Sequence, residues 1–269
     1  MHASSLTATP TALGWRVLPA ALVSASAVLL FGVSAGVAGY AVLMFGVLLA
    51  WFIDRPLFRD LLLIAIGLGI ISTISLEANI DYPNMVLFGI VLSAAVAAPF
   101  LIQRFIYREV VIRFPWRGSW PWTRAQWWYI VVVVVAAVVL LPLYFIGSGS
   151  YQNWPAVHEP DAIARLFLGV NAVGIWDELF FICTVFTLLC RHFPVWLANL
   201  LQATIFVSFL WELGYQSWGP LLTLPFALVQ GAIFRMTRSL SYVVTVHLLF
   251  DLVVFLVIVY AHNPGWFGE

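Results

Sequence analysis

Residues 169–191 read GVNAVGIWDELFFICTVFTLLCR, an apolar run with Asp177 and Glu178 side by side in its middle and no other charge before Arg191. A helix needs about 20 apolar residues to cross a bilayer, and this run supplies them. The rest of the chain agrees with it: 63% of its 269 residues are hydrophobic, 9% are charged and the mean hydropathy is +1.01. An ordinary globular chain is roughly 45–50% apolar and about 25% charged. The sequence therefore reads as all-α, a polytopic membrane helix bundle of about eight to nine transmembrane helices.

Nine apolar stretches are expected to span: 17–33, 36–53, 59–76, 84–104, 126–147, 163–190, 194–214, 218–235 and 239–261, the first two short enough to form a hairpin that barely crosses. If every stretch crosses, Arg16, Arg55, Arg59, Arg104, Arg108, Arg113, Arg117, Arg124, Arg191, Arg235 and Arg238 share one side. Glu77, Asp81, Glu159, Asp161 and Glu269 share the other, with Arg165 the one basic residue among them. The positive-inside rule then places the N-terminus in the cytoplasm and the C-terminus outside.

The net charge is zero and the basic residues are dispersed between spans, so nucleic acid is not an expected partner. The opening MHASSLTATPTALGWR runs into the first span with one Arg before it and is read as an uncleaved anchor rather than a secretory signal. Residues 103–128 mix five Arg with Trp116, Trp120, Trp122, Trp127 and Trp128, the composition of a segment lying on the inner membrane surface against lipid headgroups. Cys183 and Cys190 stand seven residues apart on one helix, too far for a disulfide, and are read as packing residues. Gly32 and Gly36 have the spacing that lets helices approach closely.

The chemistry lies in the second half. Asp177 and Glu178 fall about 20 Å along their helix from Arg191, near mid-membrane. An ionised acid there costs about 2.5–3.5 kcal/mol on insertion scales. In the last span His247 and Asp251 are four residues apart and share a helical face, about 13 and 20 Å in from Arg238. Their depth matches that of the acid pair. Glu212 completes the set in this half, close to the outer end of its span. With no Arg or Lys among them, these acids and one imidazole must share protons, bind a cation or face a water-filled cavity. Three readings stay open on residue types alone: polar struts between helices, a hydrolase in which a carboxylate activates water beside His247 and Asp251, and a proton or cation carrier.

The order of motifs resembles the CAAX-protease and bacteriocin-processing (CPBP or Abi) family of intramembrane endopeptidases. That family carries Glu-Glu-x-x-Phe-Arg-Gly, then Phe-x-x-x-His, then a turn leading into His-x-x-x-Asn or His-x-x-x-Asp. Asp177, Glu178 and Phe181 match the first motif, with Ile182 at its Arg and Cys183 at its Gly; TRSLSYVVTVHLLFDLVVF, residues 237–255, matches the last through His247 and Asp251. Phe206 aligns with the aromatic of the second motif and Leu210 with its His. The resemblance covers residues 163–258 and implies a CPBP-like domain over 126–269, with 1–125 as an N-terminal scaffold.

It also implies a bacterial plasma-membrane enzyme that cleaves a membrane-associated peptide or protein by activated water, with Asp177 or Glu178 as base and His247 with Asp251 on the oxyanion side. No cofactor is required. Glu212 is the candidate substitute for the missing second-motif His, and if it joins the others the set suits a divalent metal, manganese, iron or zinc rather than copper. The other readings are a CPBP-fold protein that binds partner proteins without cleaving them, and the carrier.

Overall fold

The computed structural model describes residues 14–118 and 120–266; most of the N-terminal anchor reading, and Glu269, fall outside them. Nine helical rods follow one another: α1 (Val17–Gly32), α2 (Gly36–Ile53), α3 (Arg55–Ile71), α4 (Tyr82–Ile106), α5 (Arg124–Ser148), α6 (Pro160–Leu189), α7 (Val195–Leu213), α8 (Pro220–Thr237) and α9 (Leu240–His262). Seven of them, all but α1 and α3, are long and apolar enough to cross a membrane.

Local chemistry sets the ends. Thr123 and Gln126 form a reciprocal capping box that starts α5, and Ser239 Oγ accepts from Tyr242 N to start α9. Gly149, at φ +74°, ends α5 in the left-handed conformation that glycine adopts without a Cβ clash. The third rod departs from expectation, running 55–71 rather than 59–76. Asp54 Oδ1 accepts from Leu57 N and Pro56 occupies the first turn, so the helix begins early; the Ser72 and Thr73 hydroxyls then bond back to Gly69 O and Ile70 O.

Gly32 and Gly36 make no close helix approach either, because they sit on different rods and nothing from a neighbouring helix lies within 4 Å of a Cβ built on either. Gly39, against Leu30, and Gly46, against Leu22 and Pro19, are where α1 and α2 meet.

The two ends of the bundle have opposite chemistry. At one, Arg191 Nη1 donates to both oxygens of Asp60 at 3.0 Å and to Glu109 at 2.7 Å. His192 Nε2 lies 2.7 Å from Asp60, and Arg59 pairs with Glu109 at 3.3 Å. The Arg/Trp-rich segment is pinned there, since Leu240 N donates to Pro115 O and the Tyr242 hydroxyl to Gln126 O. At the other end Tyr82 donates to Asp161, Asn153 to Gly214 O and Tyr144 to Gln216 O. Successive rods therefore alternate in direction.

Three rods form the centre. The most apolar window is 72% buried in α6 and 61% in α7 and α9, against 22–28% in α2, α4, α5 and α8, whose other faces are left for lipid. Between α6 and α7 the aromatic rings interlock, with Phe181 stacked on Phe206 at 4.5 Å and Trp176 against Phe209 at 5.1 Å. The Trp176 indole also donates to Leu92 O and ties α6 to α4.

Candidate functional site

The central helix changes its winding where the acids stand. From Glu178 to Phe186 α6 is π-helical, and Thr184 and Thr187 donate to carbonyls five residues back, Leu179 O and Ile182 O. Such wide turns concentrate at functional sites. A wider turn lowers the angle between adjacent side chains, so Asp177 and Glu178 both reach the same partner on α9.

That partner is His247. Its Nδ1 lies 2.8 Å from Glu178 Oε1, and its Nε2 lies 3.8 Å from Asp177 Oδ2 and 3.8 Å from Asp251 Oδ1. Phe226 flanks the ring edge-to-face at 4.9 Å, so the imidazole has little freedom to turn. All four residues are at most 4% exposed. The structure thus brings Asp177, Glu178, His247 and Asp251 together.

A fifth member was not expected. Gln230 of α8, fully buried, donates from Nε2 to Glu178 Oε1 at 2.7 Å and to Val243 O at 3.2 Å. Its signal in the sequence was an amide inside an apolar span. Glu178 Oε1 thus accepts from the Gln230 amide and faces His247 Nδ1, while Nε2 of the same ring faces Asp177 and Asp251. Asp177 Oδ1, Glu178 Oε2 and Asp251 Oδ2 are buried without a hydrogen-bond partner in the protein. Buried carboxylate oxygens are costly to leave unpaired.

Asp177, His247 and Asp251 also line a cavity of about 560 Å3. Its walls come from α4, α6, α7, α8 and α9 and are mainly apolar, with Leu210, Tyr215 and Phe250 around the acids. Gly174 lines it one turn from Asp177. A Cβ there would strike the Asp251 carboxylate, so only glycine lets α6 and α9 approach this closely. Tyr215, in the turn after α7, is 6% exposed, and burial pushes its phenol well above the usual value. It keeps its proton at neutral pH and is a donor at the cavity wall.

Glu212 does not join the set. Its Oε1 accepts from Leu76 N at 3.0 Å, beyond the end of α3, and it is not among the residues that line the cavity. Leu210, two residues earlier and on another face of α7, takes the wall position. The acid-rich metal set that depended on Glu212 is therefore not assembled, and among the described residues no group of three or more His, Cys, Asp or Glu has a metal-holding arrangement.

Residues 159–253 match the family model described as type II CAAX prenyl endopeptidase, Rce1-like. The match covers roughly a third of the chain and includes the acid pair, Leu210, Gln230, His247 and Asp251, so the resemblance read from the motifs holds over the segment that builds the site. No curated protein and no solved structure matches the chain.

Proposed function

We propose that this multi-pass membrane protein is an intramembrane endopeptidase of the CPBP type, cleaving a membrane-associated peptide or protein by direct attack of water. The observation that carries the reading is the convergence of Asp177, His247 and Asp251, with unpartnered carboxylate oxygens, at the closed end of a cavity. Asp177 takes the proton of the attacking water. His247, protonated on both nitrogens, donates from Nε2–H to the oxyanion with Asp251 balancing its charge, and Asp177 passes the proton it took from water to the leaving amine. Glu178 is outside the cavity lining and acts through His247, holding its orientation. No covalent intermediate is invoked.

The test compares new N-termini in membranes of cells that carry the unaltered protein, Asp177→Asn, Glu178→Gln or His247→Ala. Each change is expected to abolish the same cleavage product, and a product that survives all three removes the proposal. Leu210, where the family carries the second His, favours a second reading, a partner-binding protein that no longer cleaves. Under that reading the variants keep their co-purifying partners and no product depends on them.

A further inference from the structure

The cavity extends away from the Arg-rich end. Its lining includes Glu77, Ile80 and Tyr82 at the acid-rich end, and none of its residues comes from the inner segments 103–128, 189–194 or 235–242. Below the acids the bundle is closed, with Glu178, Phe180, Phe181, Ile182, Cys183 and Gln230 all fully buried. On the open side α4 and α6 part: Tyr82, Val86 and Leu168 line the cavity and are still 61%, 62% and 61% exposed. Gly89 and Gly169 stand in the gap, where an added Cβ meets nothing within 4 Å.

The charge around this mouth is one-sided. Glu77 lines it, Asp81 stands between the lining residues Ile80 and Tyr82, and Asp161 accepts from the Tyr82 hydroxyl. Arg165, the single cation there, is already engaged by Asp161 and by Ile80 O. The Arg distribution of the whole chain makes this end the non-cytoplasmic one.

We propose that the site takes its substrate from the non-cytoplasmic side: an apolar stretch of an exported or outward-anchored polypeptide enters between α4 and α6, with a basic flank held by the acids at the mouth. This rests on the endopeptidase reading and names its substrate class.

The experiment places Gly169→Cys or Gly89→Cys in the cavity and Arg117→Cys in the inner segment, and treats intact cells with a membrane-impermeant maleimide. The unaltered protein provides the background from Cys183 and Cys190. Both cavity variants are expected to label in intact cells, and Arg117→Cys only after permeabilisation. A synthetic apolar peptide ending in two Lys, at about tenfold above its dissociation constant, slows Gly169→Cys labelling about tenfold; the same peptide ending in two Glu does not.

Cavity labelling that requires permeabilisation, or that fails in both conditions, overturns the proposal. So does labelling of Arg117→Cys in intact cells, and so do peptides that protect equally or not at all. Outside labelling with lysine-dependent protection, in a protein whose site variants change no cleavage product, would remove the endopeptidase reading and leave the binding direction standing.

Discussion

Asp60 and Asp177 are equally buried, 2% exposed each, and each lies beside a histidine. Around Asp60 the valences are filled: Arg191 donates to both oxygens, His192 lies against one of them and Glu109 bridges Arg191 to Arg59. Around Asp177 there is no Arg, and three carboxylate oxygens in the cluster have no partner in the protein. The first cluster joins α3, the segment after α4 and the turn between α6 and α7. The second is open toward a cavity. Burial of an acid does not distinguish a strut from a reactive group; the completeness of its hydrogen bonding does.

The sharpest break of this comparison is between activity and stability. Removing a single general base or oxyanion donor costs about 10²–10⁴-fold in rate, so Asp177→Asn is expected to eliminate measurable cleavage with the melting temperature unchanged or raised. A large loss of thermal stability in that variant would put Asp177 in the same class as Asp60. Arg191→Leu should do the reverse, leaving Asp60 buried without its cation at a cost of about 2–3 kcal/mol, below the full figure for a buried pair because Arg191 is partly exposed. Thermal unfolding in detergent reads that loss, and an unchanged melting point would show that the cluster is not a strut.

Gln230→Leu probes the support of the second cluster, since it removes one hydrogen bond from Glu178 while keeping shape. One such bond contributes about 1.5 kcal/mol, so cleavage is expected to fall about tenfold with the fold intact, and Gln230→Glu to alter the pH profile of what remains. The smallest effect belongs to Glu212→Ala. It loses the bond to Leu76 N, about 1 kcal/mol, and cleavage should not change; lost activity would return Glu212 to the site.

The bundle and the pairing of its acids were legible because both rest on periodicity. Apolar length gives the spans, and the i,i+4 spacing of His247 and Asp251 with the adjacent Asp177 and Glu178 gives two faces that need each other. Capping was under-read: Asp54 and Pro56 start α3 four residues before the hydropathy does. Asp60 drew no reading from the sequence because its counter-ion, Arg191, lies more than a hundred residues away. Gln230 carries no charge and so did not stand out, although its partners are tertiary. Glu212 was admitted on residue type, and only its direction on α7 excludes it.

The π-helical stretch of α6 makes the site depend on residue count as well as residue identity. Deleting one residue between Leu179 and Phe186 removes no catalytic group, yet it turns the two parts of the helix by about 100° relative to each other. If Phe180, Phe181 and Phe186 keep their packing, Asp177 and Glu178 swing away from His247; if the acids stay, the aromatic ring stack is lost. Such a frameshift within a helix would be silent to any inventory of conserved side chains. Variation in this protein is thus constrained against small insertions and deletions along this segment, over and above the packing of its side chains.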